Sequence, residues 1–412
     1  MKYRSDDFEG VAALSAAQLE ARLTLLTTRL DDVISAPSGS LFYAIAPHQP
    51  MRQNSFKSTP ASPRSANRKV ALAACLLLVA SAACGEGAGA RQASAAAVLP
   101  PAAVIDEVVR WRGGVKLEEN RQVINVFPQV SFAPGGAFLV ADGREAQIRV
   151  YGGAGELRSW FGSRGEGPGE FFRPAAALPH DSGMVLTVDF VGKYAVFDTA
   201  SRRAIETGRL PVTTVYTAKP LGGGRLLLVG RVPGGGGQYL HLWDLRHKRL
   251  LHSFFVPPVR RGYENEAIIA GTMDASVRGD SIAALYALCD SIFLFTDQGV
   301  RIGALPLKAR GLRPMTHNVR PGGREAIMEW MESFSTPSRI FWLSDGSFLV
   351  QYYDLVGNEQ RFTLMHLGRN GEPLYEISGT PRLFTASPAG ETLVFQDPRF
   401  ETPNQWLLAS LR

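Results

Sequence analysis

Pro134-Gly135-Gly136-Ala137-Phe138-Leu139-Val140 decides the fold: a tight Gly turn feeding a short apolar strand. The same pairing recurs at Asp181-Ser182-Gly183 before Val185-Leu186-Thr187-Val188, and at Gly222-Gly223-Gly224 before Leu226-Leu227-Leu228-Val229. It returns at Arg278-Gly279-Asp280 before Ile282-Ala283-Ala284-Leu285, and at Ser344-Asp345-Gly346 before Phe348-Leu349-Val350. The last copy is Pro388-Ala389-Gly390 before Leu393-Val394-Phe395. From the last Gly of each turn to the next, with Gly279 standing for the fourth, the steps are 47, 41, 55, 67 and 44 residues. A period of about 40–50 residues built only of short strands is the mark of propeller blades.

Working outward, each turn belongs to a four-strand unit. The spacing predicts blades over residues 128–161, 174–210, 214–255, 271–305 and 338–378. The sixth offers only three strands, at 382–386, 391–396 and 405–411. Three strands would leave an open edge, a site for unwanted pairing. An N-terminal strand at 104–111 or 123–127 has no blade of its own and is expected to fill the gap. The predicted fold class is all-β: a six-bladed β-propeller of four-stranded antiparallel blades over residues 104–412. One insertion, residues 308–337, falls between blades 4 and 5. Within it, residues 325–334 put Ala326, Trp330 and Phe334, with Ile327 and Met331, on one side of a predicted helix.

Between the first two blades runs Phe161-Gly162-Ser163-Arg164-Gly165-Glu166-Gly167-Pro168-Gly169-Glu170-Phe171, with Pro174 after it. Gly165, Gly167 and Gly169 allow positive φ and close backbone approach, and Pro168 stiffens the crossing. Phe171 or Phe172 can then anchor the next inner strand between blades. A phosphate-binding loop would need a following helix and a Lys-Ser/Thr pair, and neither is present. The stretch resembles the blade junction of the NHL-type propellers. Val140-Ala141-Asp142, Ile148-Arg149-Val150-Tyr151, Val188-Asp189 and Ala195-Val196-Phe197-Asp198 are similar to that repeat's strand signatures. The Gly-x-Gly-Pro-Gly-Glu-Phe form is similar to a group of bacterial exported six-bladed propellers. The resemblance covers two blades; in the others only period and turns agree.

The first hundred residues stand outside this pattern. Arg64, Arg68 and Lys69 precede an uncharged apolar run of 14 residues, 70–83, that meets Cys84. A basic region, a short apolar core and small residues predict a secretory signal peptide over residues 51–84. An uncleaved anchor is the competing reading, although the run is short for roughly 30 Å of hydrocarbon. Ser81-Ala82-Ala83-Cys84 resembles the lipobox of bacterial lipoproteins, with Ser81 where Leu is usual. That resemblance implies that Cys84 becomes the acylated first residue. With Gly85 rather than Asp after it, it also implies the outer membrane or cell surface as address. Leu72-Ala73-Ala74-Cys75 leaves only Val70 and Ala71 after Lys69, too short an apolar region. Ordinary cleavage near Ala93-Ser94-Ala95, giving a periplasmic or secreted protein, is the alternative. Residues 85–103 read as a flexible tether rich in Gly, Ala and Ser. Residues 1–50 are expected to be an extension upstream of a start at Met51, or else a helical or disordered pre-segment.

The chain carries 44 Lys+Arg against 38 Asp+Glu, formally +6. Residues 1–84 hold 9 basic and 6 acidic residues, leaving 35 against 32 for the rest. So small an excess, unclustered in sequence, gives no reason to expect a nucleic-acid partner. Of three Cys, only Cys289 lies beyond the signal stretch, which predicts a buried free thiol and no disulfide.

Six-bladed propeller enzymes, among them metal-dependent lactonases and amidating lyases, place Glu, Asp, Asn or His where the inner strands meet the central channel. Here those strands begin Pro128-Gln129, Pro174-Ala175-Ala176, Thr214-Val215-Tyr216, Thr272-Met273-Asp274, Ser338-Arg339 and Arg382-Leu383. Only Asp274 is acidic and none is His, so neither a calcium nor a zinc set is expected, and no cofactor. His180, His241, His247, His252 and His366 are scattered, and surface or edge positions explain them. A Ser-His-Asp arrangement stays open, without a strand-turn-helix elbow to position a nucleophile. Gly234 to Gly237 reads as a hairpin tip. The insertion helix reads as a cap over apolar surface, or more sharply as a lid or docking element. Arg310, Arg313, Arg320 and Arg324 with Trp330 then form a candidate ligand face for an anionic ligand, or the arginines are a solvated rim.

The expected function is that of a monomeric, envelope-anchored propeller, held to the membrane by its lipid. It would bind a protein, peptide or glycan through one face. The alternative is an exported hydrolase or lyase, lactonase-like or amidating-lyase-like, using the channel. RNA binding, known for some NHL relatives, conflicts with an export signal.

Overall fold

The computed structural model describes residues 104–119, 128–232, 237–258, 271–319, 323–357, 359–399 and 404–412. Cys84, the signal stretch, the tether and the alternative closing strand at 123–127 lie outside the described residues.

Six four-stranded antiparallel sheets form. Blade 1 comprises Gln129–Ala133, Ala137–Asp142, Gln147–Tyr151 and Leu157–Phe161. Blade 2 comprises Pro174–Pro179, Met184–Asp189, Lys193–Asp198 and Arg203–Arg209. Blade 3 takes Thr214–Leu221, Arg225–Arg231, Leu240–Asp244 and Arg249–Phe254. Blade 4 takes Met273–Arg278, Ser281–Tyr286, Ser291–Thr296 and Arg301–Pro306. Blade 5 takes Ser335–Trp342, Phe348–Val356, Glu359–Leu367 and Pro373–Thr380. Blade 6 is built from Leu383–Ala386, Leu393–Gln396 and Gln405–Leu411, and its outermost strand is Val109–Lys116 from the other end of the ring. The expected closure is therefore present, with Val109 opposite Leu411 and Lys116 opposite Gln405. It begins five residues later than the 104–111 estimate, because Ile105–Val108 coils into a helical turn. There the Trp111 indole N–H donates to Asp106 at 2.7 Å.

Burial explains the strand patterns. The second strands read as unbroken apolar runs because both faces of a blade are covered by its neighbours; Ala137–Asp142 is buried at every position. Outermost strands alternate, as Arg203–Arg209 does, because one face meets water. Each neighbouring pair of blades shares an apolar core. Phe161, Phe171 and Phe197 sit between blades 1 and 2, and Val188, Val215 and Trp243 between 2 and 3. Tyr239, Tyr286 and Phe293 join 3 to 4, and Ile292, Phe348 and Tyr352 join 4 to 5. Leu349, Leu383 and Val109 join 5 to 6, while Trp406, Phe384 and Phe138 join 6 back to 1. Six such interfaces in a circuit make the ring, and the inner strands touch in the same cyclic order.

The Gly-rich junction is a linker folded on itself. Ser163–Arg164 pairs in parallel with Glu170–Phe171, Phe171 is fully buried, and Phe172 is 40 % exposed. Gly165 and Gly169 take positive φ; a Cβ on Gly169 would stand 3.2 Å from the Phe197 ring. The Gly167 N–H is taken by the Glu170 carboxylate at 2.7 Å. The Lys193 ammonium donates to the carbonyls of Glu166 at 2.9 Å, Glu170 at 2.7 Å and Gly167.

The insertion helix spans Arg324–Glu332. Trp330, Met331 and Phe334 pack with Leu355 of blade 5 in a satellite cluster. The strand after it starts at Ser335, three residues before the expected 338, since Phe334 is drawn into that cluster and Ser335 into a bond with Asp354 at 2.7 Å.

Candidate functional site

The inner-strand starts of all six blades converge on a cavity of 260 Å³ at one mouth of the channel. Gln129 comes from blade 1, Ala175 from blade 2, Tyr216 and Thr217 from blade 3, and Asp274 from blade 4. Ser338 and Arg339 come from blade 5, and Arg382 from just before blade 6. Four of the inner strands are bulged at this end: between Pro174 and Ala176, Val215 and Thr217, Pro337 and Arg339, and Leu383 and Thr385. A bulge leaves one residue unpaired and re-aims its neighbours. The unpaired Ala175, Tyr216 and Ser338 all line the mouth.

Three guanidiniums line this mouth, those of Arg173, Arg339 and Arg382. Buried groups fix the backbone that carries each. The Asp189 carboxylate accepts from the N–H groups of Phe172 at 2.9 Å, Arg173 at 2.7 Å and Phe190 at 2.9 Å; burial raises its pKa and those three bonds oppose the rise. Gln351, fully buried, accepts from Leu383 N–H at 2.9 Å and donates to the Pro381 carbonyl at 3.0 Å, holding the crossing that bears Arg382. Asp274 accepts from Ile340 N–H at 3.1 Å, next to Arg339. Aromatic faces then seat two of the heads: Arg173 lies 3.9 Å over the Phe190 ring, and Arg382 lies 5.9 Å from Phe362 and 6.0 Å from Phe384.

Asp274 is the one carboxylate among the mouth's described lining residues, and Lys219 of blade 3 already stands 3.9 Å from it. Burial lowers the Lys219 pKa; Asp274 opposes that and Arg339 adds to it. Burial, then the Arg339 charge, pushes the Arg382 guanidinium down to about 9. At that value Arg382 stays cationic at neutral pH. Among the described residues no three His, Cys, Asp or Glu side chains gather as a metal-ion cluster.

The insertion residues fall elsewhere. Trp330 is 2 % exposed and donates its indole N–H to the His317 carbonyl at 2.9 Å. Arg313 donates to the Glu332 carbonyl and, at 2.8 Å, to Asp354. Arg310 is exposed, with its backbone N–H on Glu376 at 2.7 Å. None of these three lines the mouth. Arg320 and the side chain of Arg324 lie outside the described residues.

Two expectations about titratable groups need correction. His241 is fully buried rather than at an edge; its ring bonds the Ser253 hydroxyl at 2.8 Å and the Gly230 carbonyl at 3.2 Å. Cys289 is free and half-buried, in the turn between two strands of blade 4, and burial pushes its thiol up to about 12. On the opposite face of the ring the structure does bring Ser347, His366 and Asp345 together. The Ser347 hydroxyl donates to Asp345 at 2.7 Å, leaving His366, 2.9 Å away, to donate to it. A nucleophile needs the reverse, its proton directed at the imidazole. Burial also lowers the His366 pKa. The trio closes a hairpin turn, with the Asp345 carboxylate also accepting from Ser347 N–H at 2.9 Å.

No protein-family model matches this chain, and no curated protein matches it either. Solved structures do. A member of the DUF4221 family from Bacteroides vulgatus aligns with a TM-score of 0.56 at 13 % identity, over 74 % of this chain and 97 % of its own. A Bacteroides fragilis protein, provisionally described as exported, aligns with a TM-score of 0.54 at 12 % identity, over 76 % of this chain and 98 % of its own. At such identities the likeness is one of architecture, and it agrees with a six-bladed β-propeller.

Proposed function

We propose that this protein is an exported, NHL-like propeller that works as a binding module, with the channel mouth as its ligand face and a protein, peptide or glycan as ligand. The composition of the lining carries this reading. Residues at or just before all six inner-strand starts line the mouth, and three inner strands present a bulged residue to it. The groups offered are guanidinium, amide, hydroxyl and aromatic, while its carboxylate is engaged by Lys219 and Ile340 N–H. A few polar groups on a largely preformed concave wall describe a binding site. Acid–base chemistry would call for a second carboxylate or a His within reach of the substrate. Export is supported by the signal-like residues 51–84 and by the description of the Bacteroides fragilis neighbour. Anchoring through acylated Cys84 at the outer membrane is supported by the lipobox resemblance.

The test is a screen of glycans and peptides against the purified protein and a Ser338→Trp variant, which plugs the mouth. Ligands retained by the parent and lost by the variant support the reading. Ligands retained equally by both refute it. So does stoichiometric calcium or zinc whose removal abolishes an activity on lactones or peptides.

A further inference from the structure

We propose that the channel mouth takes an acidic sugar, its carboxylate gripped by Arg339, Arg382 and Arg173 and its ring laid against the aromatic wall. The inference rests on the mouth being the binding face, and it names the ligand chemistry.

Three observations lead to it. Among the described lining residues three arginines stand beside one carboxylate, and that carboxylate, Asp274, faces Lys219. Unlike a surface lysine cluster, these side chains line one cavity from blade 5 and from the crossings that enter blades 2 and 6, on backbone fixed by Asp189, Asp274 and Gln351. A planar guanidinium matches a carboxylate with two parallel N–H···O bonds, and converging forks select an oxyanion over a neutral group. The Arg339 charge disfavours protonated Arg382, and an anion held between the two would offset that repulsion.

The rest of the lining indicates what carries the anion. Tyr216, Tyr353 and Phe362 supply flat apolar faces of the kind that pack against the C–H side of a pyranose. Gln129, Gln360, Thr217, Thr336 and Ser338 supply amide and hydroxyl partners for ring hydroxyls. A free inorganic anion would leave those faces unused. An acidic peptide side chain would leave the ring of polar partners unused. The 260 Å³ cavity lies just below the span of roughly 300–1,000 Å³ usual for small-ligand sites, which suits one sugar residue. That residue is either a free uronate or the end of an acidic glycan.

The experiment is titration calorimetry on the full chain with glucuronate, glucose, a uronate oligomer and N-acetylaspartate. Arg339→Gln and Tyr353→Ala are run beside the parent, with thermal melts to verify folding. Glucuronate should bind and glucose should not. Arg339→Gln should weaken glucuronate at least about tenfold, and Tyr353→Ala should weaken glucuronate without creating affinity for N-acetylaspartate. Tighter binding of the oligomer identifies a glycan end as the source; equal binding identifies the free sugar. Glucose bound as well as glucuronate, with Arg339→Gln indifferent, overturns the acidic ligand. N-acetylaspartate bound as well as glucuronate overturns the sugar. If no probe binds while Ser338→Trp still abolishes capture of some other ligand, the acidic sugar is wrong and the binding face stands. Capture that ignores Ser338→Trp removes both.

Discussion

Replacing Lys193 with Met tests whether the Gly-rich junction is a structural linker. The ammonium donates to the carbonyls of Glu166, Gly167 and Glu170, which otherwise point into a partly buried pocket between blades 1 and 2. A buried charge-assisted bond is worth about 1.5–3 kcal/mol. Lys193 is only half-buried, so solvent screening reduces the set of three to a total of about 3 kcal/mol. For a ring of this size one kcal/mol moves the melting midpoint by about 2 °C, which predicts a fall of roughly 6 °C. Met keeps the length and apolar stem of Lys, so packing is little disturbed. Lys193→Arg retains the charge but offers a planar fork to three convergent carbonyls, and should recover part of the loss. Urea unfolding followed by Trp fluorescence, with a thermal melt beside it, reads the effect. The slope of the urea transition should not change, since the ring still unfolds as a whole. An unchanged midpoint in Lys193→Met would refute the reasoning and reopen the junction as a ligand loop.

Val109→Asp should destabilise the ring by more than about 3 kcal/mol, because it removes a side chain only 1 % exposed from the closing strand and buries a carboxylate there. Size-exclusion chromatography should show dimers paired through the freed Gln405–Leu411 edge, relieved by a peptide of residues 104–117; a monomer of unchanged stability contradicts this. Burial lowers the His241 pKa, whereas the unfolded chain takes up that proton near pH ~6.5. Its contribution is therefore complete above that pH and lost as pH falls, by at most about 2 kcal/mol at pH ~5. His241→Gln should flatten this part of the stability curve, and parallel curves would count against it. Cys84→Ser should lose lipid label and leave the membrane fraction with its propeller intact, while Cys75→Ser should matter less. The opposite pattern moves the cleavage site to Cys75, and retention of both favours an uncleaved anchor.

The sequence made the ring legible because blade strands are short, buried on both faces and punctuated by Gly turns that no helix would tolerate. All six cavity-lining strand starts are likewise readable by position from where each turn falls. Their chemistry is less legible: Asp274 is the one acidic residue in those short stretches, and nothing in the sequence marks Arg339 and Arg382 beside it as lining one cavity. Arg173 and Lys219 were hidden for different reasons. Arg173 belongs to a crossing rather than a strand, and the inward turn of Lys219 depends on a bulge at Val215/Thr217 that leaves no mark in sequence. The insertion arginines attracted attention because they cluster along the chain; only the fold shows Arg313 spent on Asp354 and Glu332.

The seam joining Val109 to Leu411 has a consequence for how the chain reaches its native state. Blades 1 to 5 are each closed by local hairpins that can zip as soon as they are made. The sixth needs two segments from opposite ends of the ring, and bringing together residues about 300 apart costs roughly 5 kcal/mol of chain entropy. That contact is therefore formed late, after the other blades have shortened the effective loop. A chain that moves with its N-terminus leading delivers the 109–116 segment long before its partner exists. Until the final residues arrive, an apolar ribbon and an unpaired edge wait at the two sides of a gap, open to any strand that can reach them. Assembly of this ring is thus slow at its last step, and it is there that a chaperone or a tethering membrane would have most influence.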